Sequence, residues 1–281
     1  MQKLELIDET FDRERCDSYT LAIQASNKGV SFTVKDTVRN SFIALYAIPF
    51  EKEILQNDEW SERIDALFSK YDILTRGYKK VYLSYESPLF TLIPESLFVP
   101  EKALQLFSLV WDLPESFELQ FNKLSKMVLL FAMPSSLTTK ILEKHKNTMI
   151  IGYALPLLNI STLTNISTDE NLIFTSITDT FVVNAIVQKG CISNLCPYFY
   201  QNVDDLLYHI VNASKQFNIN PGNSILTLAN INNNQESLLL LISKFFRKVN
   251  VDKGFQSDHF AFAIDKYKVQ YWNLFNLSQC G

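Results

Sequence analysis

The chain has 281 residues, 47% of them apolar, with 21 Phe and 12 Tyr, enough for one large α/β domain or two lobes around a sizeable core. Only 7 Gly and 9 Pro are present, which excludes long low-complexity linkers. A formal net charge of -4 without a long Lys/Arg run removes the electrostatic footprint of a nucleic-acid binder.

Residues 18–25 predict a strand, Ser26-Asn27-Lys28-Gly29 a turn, and the alternation over 30–35 a second strand. A third strand covers 41–48. A helix is predicted over 51–71, where Ile54, Leu55, Ile64, Leu67, Phe68 and Tyr71 recur at mostly helical spacing. Residues 80–85 form a fourth strand. Pro100 suits the first position of a helix that carries Leu104, Phe107 and Val110 on one face. A buried strand over 127–133 and a helix over 135–145 follow.

The second half repeats this order. Strands are predicted over 171–177, 181–187 and 191–200, with Thr178-Asp179 as the first turn. Asn202 caps a helix reaching about 217, with Asp204 and Asp205 in its first turn, where the helix dipole favours acids. Val203, Leu206, Leu207, Ile210 and Val211 form its apolar stripe, and Pro221-Gly222 stops it. A strand over 224–229 precedes a helix opened by Asn233 and Glu236, with Leu238, Leu241, Ile242, Phe245 and Val249 on its face. Residues 260–264 close as a strand. The order strand, strand, strand, helix, strand, helix thus occurs twice, at an offset of roughly 150 residues. The repeat is one of element order alone, so a plain succession of α/β units is the alternative. The Ser/Thr/Asn-rich stretch between 163 and 171 marks the join, giving lobes of 1–165 and 166–281.

The first ten residues carry acids and few apolar groups, unlike a secretory signal. The longest apolar runs, 127–133 and 238–242, are too short for a membrane span. Cys16, Cys191, Cys196 and Cys280 are expected as free thiols. Cys191 and Cys196 are an odd number of residues apart on one strand and point to opposite faces. A cytoplasmic protein is expected. His145, His209 and His259 have no Cys or His neighbour at metal-ligand spacing, and neither a nucleophile elbow nor a phosphate loop is present. No acid stands on the strand over 18–25, which argues against a metal-dependent nuclease of ribonuclease H type.

Three segments carry a family resemblance. They are the hairpin Leu21-Ala22-Ile23-Gln24 with Val30-Ser31-Phe32-Thr33-Val34, the segment from Thr91 through Pro94 and Glu95 to Phe98, and the helix start from Asn202 through Asp204 and Asp205 to Tyr208. In these the chain resembles a bacterial family of unknown function with the actin-like ATPase fold. That resemblance implies an α/β, duplicated actin-like ATPase (ribonuclease H-like) fold of two lobes, each with a mixed five-stranded sheet flanked by helices. It implies no activity.

Members of that wider fold that hydrolyse ATP carry an Asp-x-Gly turn in each lobe and a Gly-Gly pair near the adenosine. Gly admits backbone N–H groups to phosphate, and Asp positions metal-bound water. Here the first turn, at Asn27, Lys28 and Gly29, lacks Asp. The second, at Asp179, lacks Gly, and the loop over 228–233 around Asn230 has no Gly. Asp252-Lys253-Gly254 follows a helix instead and reads as a turn. A non-catalytic binding or scaffold protein without a cofactor is therefore expected. The alternative is a nucleotide binder with atypical phosphate contacts from Asn27, Lys28, Gly29, Asp179 and Asn230. A partner protein or a second copy would dock at Tyr198, Phe199 and Tyr200, on a strand that Pro197 assigns to a sheet edge. Packing of those aromatics into the core is the competing expectation.

Overall fold

The computed structural model describes residues 2–163, 171–231, 236–254 and 257–280. The expected join over 164–170 and the helix-opening Asn233 lie outside the described residues. The chain divides into two compact units. One comprises Met1–Tyr153, Phe255–Lys266 and Leu274–Gly281, and the other Ala154–Gly254 and Tyr267–Asn273.

In the first unit, β1 (Leu4–Ile7) precedes the meander β2 (Tyr19–Ser26), β3 (Gly29–Asp36) and β4 (Ser41–Pro49). Helix α1 (Glu59–Lys70) leads to β5 (Lys80–Tyr85), which lies parallel to β2. Next come β6 (Phe90–Pro94), α2 (Ala103–Phe107), β7 (Phe117–Leu124), β8 (Met127–Pro134), α3 (Ser135–Lys144) and β9 (Thr148–Gly152). The main sheet has the order β1-β4-β3-β2-β5-β9, while β6, β8 and β7 form a separate three-stranded sheet. The strand expected over 127–133 is thus real but belongs to this insertion. The fifth strand of the core sheet is β9, a run of five residues with no alternation to reveal it.

Helix α1 begins eight residues later than its pattern suggested. Ile54 is buried in the preceding loop while Leu55 is 85% exposed, so the two do not share a helical face. The helix expected from Pro100 contracts to a 3₁₀ turn and the five residues of α2, with Phe107 buried and Leu104 and Val110 exposed.

The inserted sheet packs closely on the edge of the main one. A β-carbon on Gly152 would meet Leu129 Cδ2 at 2.7 Å and Phe131 Cδ1 at 2.8 Å, so only Gly fits there. Edge strand β9 is closed by a side chain: Asn122 of β7 donates to Ile150 O at 2.9 Å and accepts from Gly152 N at 2.7 Å. That amide stands in for a neighbouring strand.

In the second unit, α4 (Leu155–Leu163) is followed by β10 (Leu172–Ile177), β11 (Phe181–Gln188) and β12 (Cys191–Phe199). Lys189 and Gly190 join β11 to β12 with φ of 50° and 72°, the left-handed pair of a tight hairpin turn. Next come α5 (Val203–Gln216), β13 (Ile225–Ala229), α6 (Glu236–Ile242) and β14 (Lys248–Val251), and the sheet order is β12-β11-β10-β13-β14. The Asn202 side chain accepts from Asp205 N at 2.9 Å, the expected cap. Leu206 and Ile210 are buried, each contributing about 1.5–3 kcal/mol. Val249 lies on β14, because α6 ends at Ile242 and the apolar spacing runs on across the boundary.

The chain then returns to the first unit. Where a strand over 260–264 was expected, β15 (His259–Phe260) adds to β4 and α7 (Phe262–Asp265) follows at once. Helix α8 (Trp272–Asn276) brings Phe275 to within 4.7 Å of Phe42 and 5.1 Å of Phe260, ring centre to ring centre. Beside them Lys35 Nζ meets Asp258 Oδ1 at 2.8 Å, with 9% and 4% of the two side chains exposed. Gln279 Nε2 donates to the other carboxylate oxygen at 3.2 Å. Among the described residues no helix is long and apolar enough to cross a membrane.

Two predictions follow from these packing facts. Asp258→Ala leaves Lys35 buried without its counter-charge and is expected to lose about 3–5 kcal/mol in urea unfolding. Lys35→Met combined with Asp258→Leu is expected to recover most of that loss, and a double variant as unstable as the single one refutes the ion-pair account. The second concerns His145, buried with its Nε2 2.7 Å from Leu74 O. Burial, aided by Lys144, holds its pKa below the ordinary histidine value despite the opposing backbone bond. The unfolded chain therefore takes up the proton more readily, and stability is lost as pH falls below about 6.5. His145→Gln keeps a donor for Leu74 O and is expected to flatten the fall in Tm between pH 7.5 and 5.5; an unchanged slope contradicts this.

Candidate functional site

In each sheet a parallel pair follows the meander, β2 with β5 and β10 with β13. Ligands of open α/β sheets gather at the carboxyl ends of such strands. In the first unit that end carries the β2–β3 turn. Asn27 is exposed, Lys28 half-buried and Gly29 buried. The chain leaving β4 folds over this turn: Phe50 N donates to Lys28 O and Ile54 N to Asn27 O, both at 2.9 Å. The Tyr85 hydroxyl, at the end of β5, donates to Asn27 Oδ1. Burial pushes the Tyr85 pKa well up, so the hydroxyl keeps its proton and remains a donor. Both carbonyls of the turn and the Asn27 amide oxygen are thus engaged by the protein itself.

In the second unit the β10–β11 turn is tied by Thr178. The buried Thr178 hydroxyl accepts from Thr180 N at 3.2 Å and Phe181 N at 3.0 Å, and donates to Phe181 O at 2.8 Å. Asp179 sits exposed on the tip. Asn230 follows β13 with φ 62°, a left-handed conformation that Asn tolerates, and its Oδ1 accepts from Asn273 N at 3.2 Å. Because Ser176 pairs with Ala229 and Leu228 with Val251, Asp179, Asn230 and Asp252 lie at one end of three adjacent strands. Asp252 Oδ1 accepts from Gly254 N at 2.6 Å and from Trp272 Nε1 at 2.9 Å, the expected turn with an added tether.

The sheet edge separates the aromatic triplet. Among the described residues β12 pairs with β11 alone, as Pro197 indicated. Tyr198 and Tyr200 turn toward the core beneath α5; the Tyr198 ring stacks on His209 at 5.0 Å, and the Tyr200 hydroxyl donates to Thr178 O. Phe199 faces the other way and is 60% exposed. Among the described residues no three His, Cys, Asp or Glu side chains cluster to hold a metal, and all four cysteines are free thiols. Thr178 and Tyr85 were missed in the sequence. A Thr opening a tight turn is a readable signal, whereas nothing local marks Tyr85.

Exposed apolar side chains gather in the segment that joins β6 to β7. Leu97, Val99, Leu104, Leu109 and Val110 of that segment, and Phe121 on β7, are all exposed, at 42–80%.

Comparison with solved structures gives the fold. A Bacteroides thetaiotaomicron protein described as having an actin-like ATPase fold and unknown function superposes with a TM-score of 0.75 at 21% identity, covering 93% of this chain and 98% of that one. The structure of the PilM-PilN type IV pilus biogenesis complex matches with a TM-score of 0.59 at 10% identity, covering 92% and 97%. The ethanolamine utilization protein EutJ from Carboxydothermus hydrogenoformans matches at 0.51 and 7% identity, covering 98% and 93%. No curated protein matches in sequence. The family model for proteins of unknown function, DUF3822, matches residues 8–249, and the chain therefore belongs to that family and has the actin-like ATPase fold.

Proposed function

We propose that this chain is a non-catalytic binding or scaffold protein that uses the actin-like fold as a docking frame in the cytoplasm. The observation that carries the proposal is the occupancy of the turns. A phosphate-binding turn needs backbone donors and a carboxylate turned to the ligand. Here Lys28 N donates to Ser26 Oγ at 3.3 Å in the first turn, and in the second Thr180 N and Phe181 N donate to the Thr178 hydroxyl, so these backbone donors are turned to the protein itself. The exposed apolar side chains between β6 and β7 offer a protein partner a surface in the first unit, and Phe199 on the β12 edge offers a separate one in the second. The similarity to the PilM-PilN complex supports a partner-binding role by fold analogy alone. We place the join of the two repeats within 163–171, so that 1–165 and 166–281 each hold one copy of the strand order.

Nucleotide binding is the alternative, favoured by Asp179, Asn230 and Asp252 lining the carboxyl ends of three strands. Calorimetry with Mg-ATP and Mg-ADP is expected to show no saturable heat at micromolar concentrations, and no phosphate release is expected. Saturable binding that disappears in Asp179→Ala or Lys28→Ala establishes the alternative.

The aromatic triplet gives a separate test. Tyr198→Ser and Tyr200→Ser each remove packing and are expected to lower stability by about 2–4 kcal/mol, while Phe199→Ser stays within about 0.5 kcal/mol. Equal losses at all three positions return Phe199 to the core and remove it from the docking surface.

A further inference from the structure

The outer face of α5 carries a pattern that is complementary to itself. Its inner face is consumed by the core through Leu206, Ile210 and Ala213. The next row round lines a groove of about 330 Å³ formed by Asp204, Leu207, Tyr208, Val211, Asn212 and Lys215, with Phe245 along its side; Leu207 and Val211 are half-buried there and also pack against the core. The spacing of three and four residues sets these six side chains in one row. At 1.5 Å per residue, the acid at one end and the base at the other stand about 16 Å apart. Tyr208 is 61% and Phe245 46% exposed, and neither Asp204 nor Lys215 makes an ion pair among the described residues.

A half-turn about an axis midway between His209 and Ile210 maps the row onto itself. Asp204 then falls opposite Lys215 of the other copy, Leu207 opposite Asn212, and Tyr208 opposite Val211. Two copies of α5 packed antiparallel thus match charge to opposite charge at both ends and the Tyr208 ring to Val211 at the middle, with Leu207 against the Asn212 side chain between them. A parallel arrangement sets Asp204 against Asp204 and Lys215 against Lys215, which is repulsive. Any other helix would have to bring the complementary charges; a second copy of this chain already has them. We propose that α5 is a two-fold, self-complementary docking face through which two copies of this chain associate. The proposal stands whether or not a nucleotide or a further protein binds elsewhere.

One helix pair is smaller than the area of about 1,200–2,000 Å² that a stable interface buries. Phe245, 46% exposed, widens the face, and a dimer of micromolar affinity is expected. Sedimentation velocity on the full chain, from about 1 to 100 μM, reads this directly. Wild type is expected to shift from monomer to dimer across the range. Asp204→Lys alone, or Lys215→Glu alone, replaces two attractions with two repulsions and is expected to weaken the dimer by about tenfold or more. Mixing those two variants is expected to restore association as a heterodimer, because all acids then face all bases. Asp205 retains its bonds at the helix start, so each charge variant is expected to lose only the helix-dipole contribution of about 0.3–1 kcal/mol, and to show a melting temperature only a few degrees below wild type. A monomeric wild type throughout the range overturns the proposal. So does a dimer indifferent to both substitutions, or a mixture that fails to re-associate.

Discussion

The first strand of each core sheet is bonded on both sides, and most of the architecture follows from that. β2 runs antiparallel to β3 and parallel to β5, and β10 runs antiparallel to β11 and parallel to β13. An antiparallel neighbour is reached by a tight turn, but a parallel one requires a crossover, which a helix normally supplies. α1 and α5 are those crossovers, each with one apolar stripe for the sheet and one face left over. The hairpin turns and the carboxyl ends of the parallel strands consequently share one end of each sheet. That is why Asn27 sits near the end of β5, and Asp179 at the same end as Asn230 and Asp252.

What was legible in the sequence was this meander-and-crossover core. Alternation marked β2 to β4 and β10 to β12, and capping by Asn202 with Asp204 and Asp205 marked α5. The additions to the core were not legible. β9 and β14 have only five and four residues, so neither is long enough for its period to be distinguished from the neighbouring helix. β1 and β15 are short strands that exist because β4 offers them an edge, a tertiary cause that leaves no local trace. At the candidate site, Pro197 correctly announced an edge strand and alternation correctly split Phe199 from Tyr198 and Tyr200. The hydrogen bond from Tyr85 to Asn27 spans 58 residues and could not be read from either end.

Sheet edges are the places where such a fold is open to other chains, and at β4, β9 and β12 the edge is managed in three different ways. β4 is covered by β1 and by β15, and β15 is itself fastened by the buried Lys35–Asp258 pair. β9 is closed by one amide, Asn122, which answers a carbonyl and an N–H two residues apart as a strand would. β12 carries Pro197, which removes a donor from its free side. With strand addition hindered at these points, side-chain surfaces gain weight: the apolar residues between β6 and β7 and the outer row of α5.

The same trade appears at the turns. A nucleotide-hydrolysing member of the fold needs donors aimed outward and a conformationally permissive residue beside them. In this chain Thr178 turns two backbone donors inward onto its own hydroxyl, and Tyr85 and Ile54 engage the oxygens of Asn27. Each of these bonds rigidifies a turn that a phosphate would otherwise order. A phosphate at the second turn would have to take the Thr180 and Phe181 N–H groups from the Thr178 hydroxyl, and the net gain per exchanged hydrogen bond is only about 0.5–1.5 kcal/mol. Such turns favour a rigid frame over a responsive one. Recognition then has to come from fixed surfaces, where apolar area and charge complementarity act without any rearrangement of the sheets beneath them.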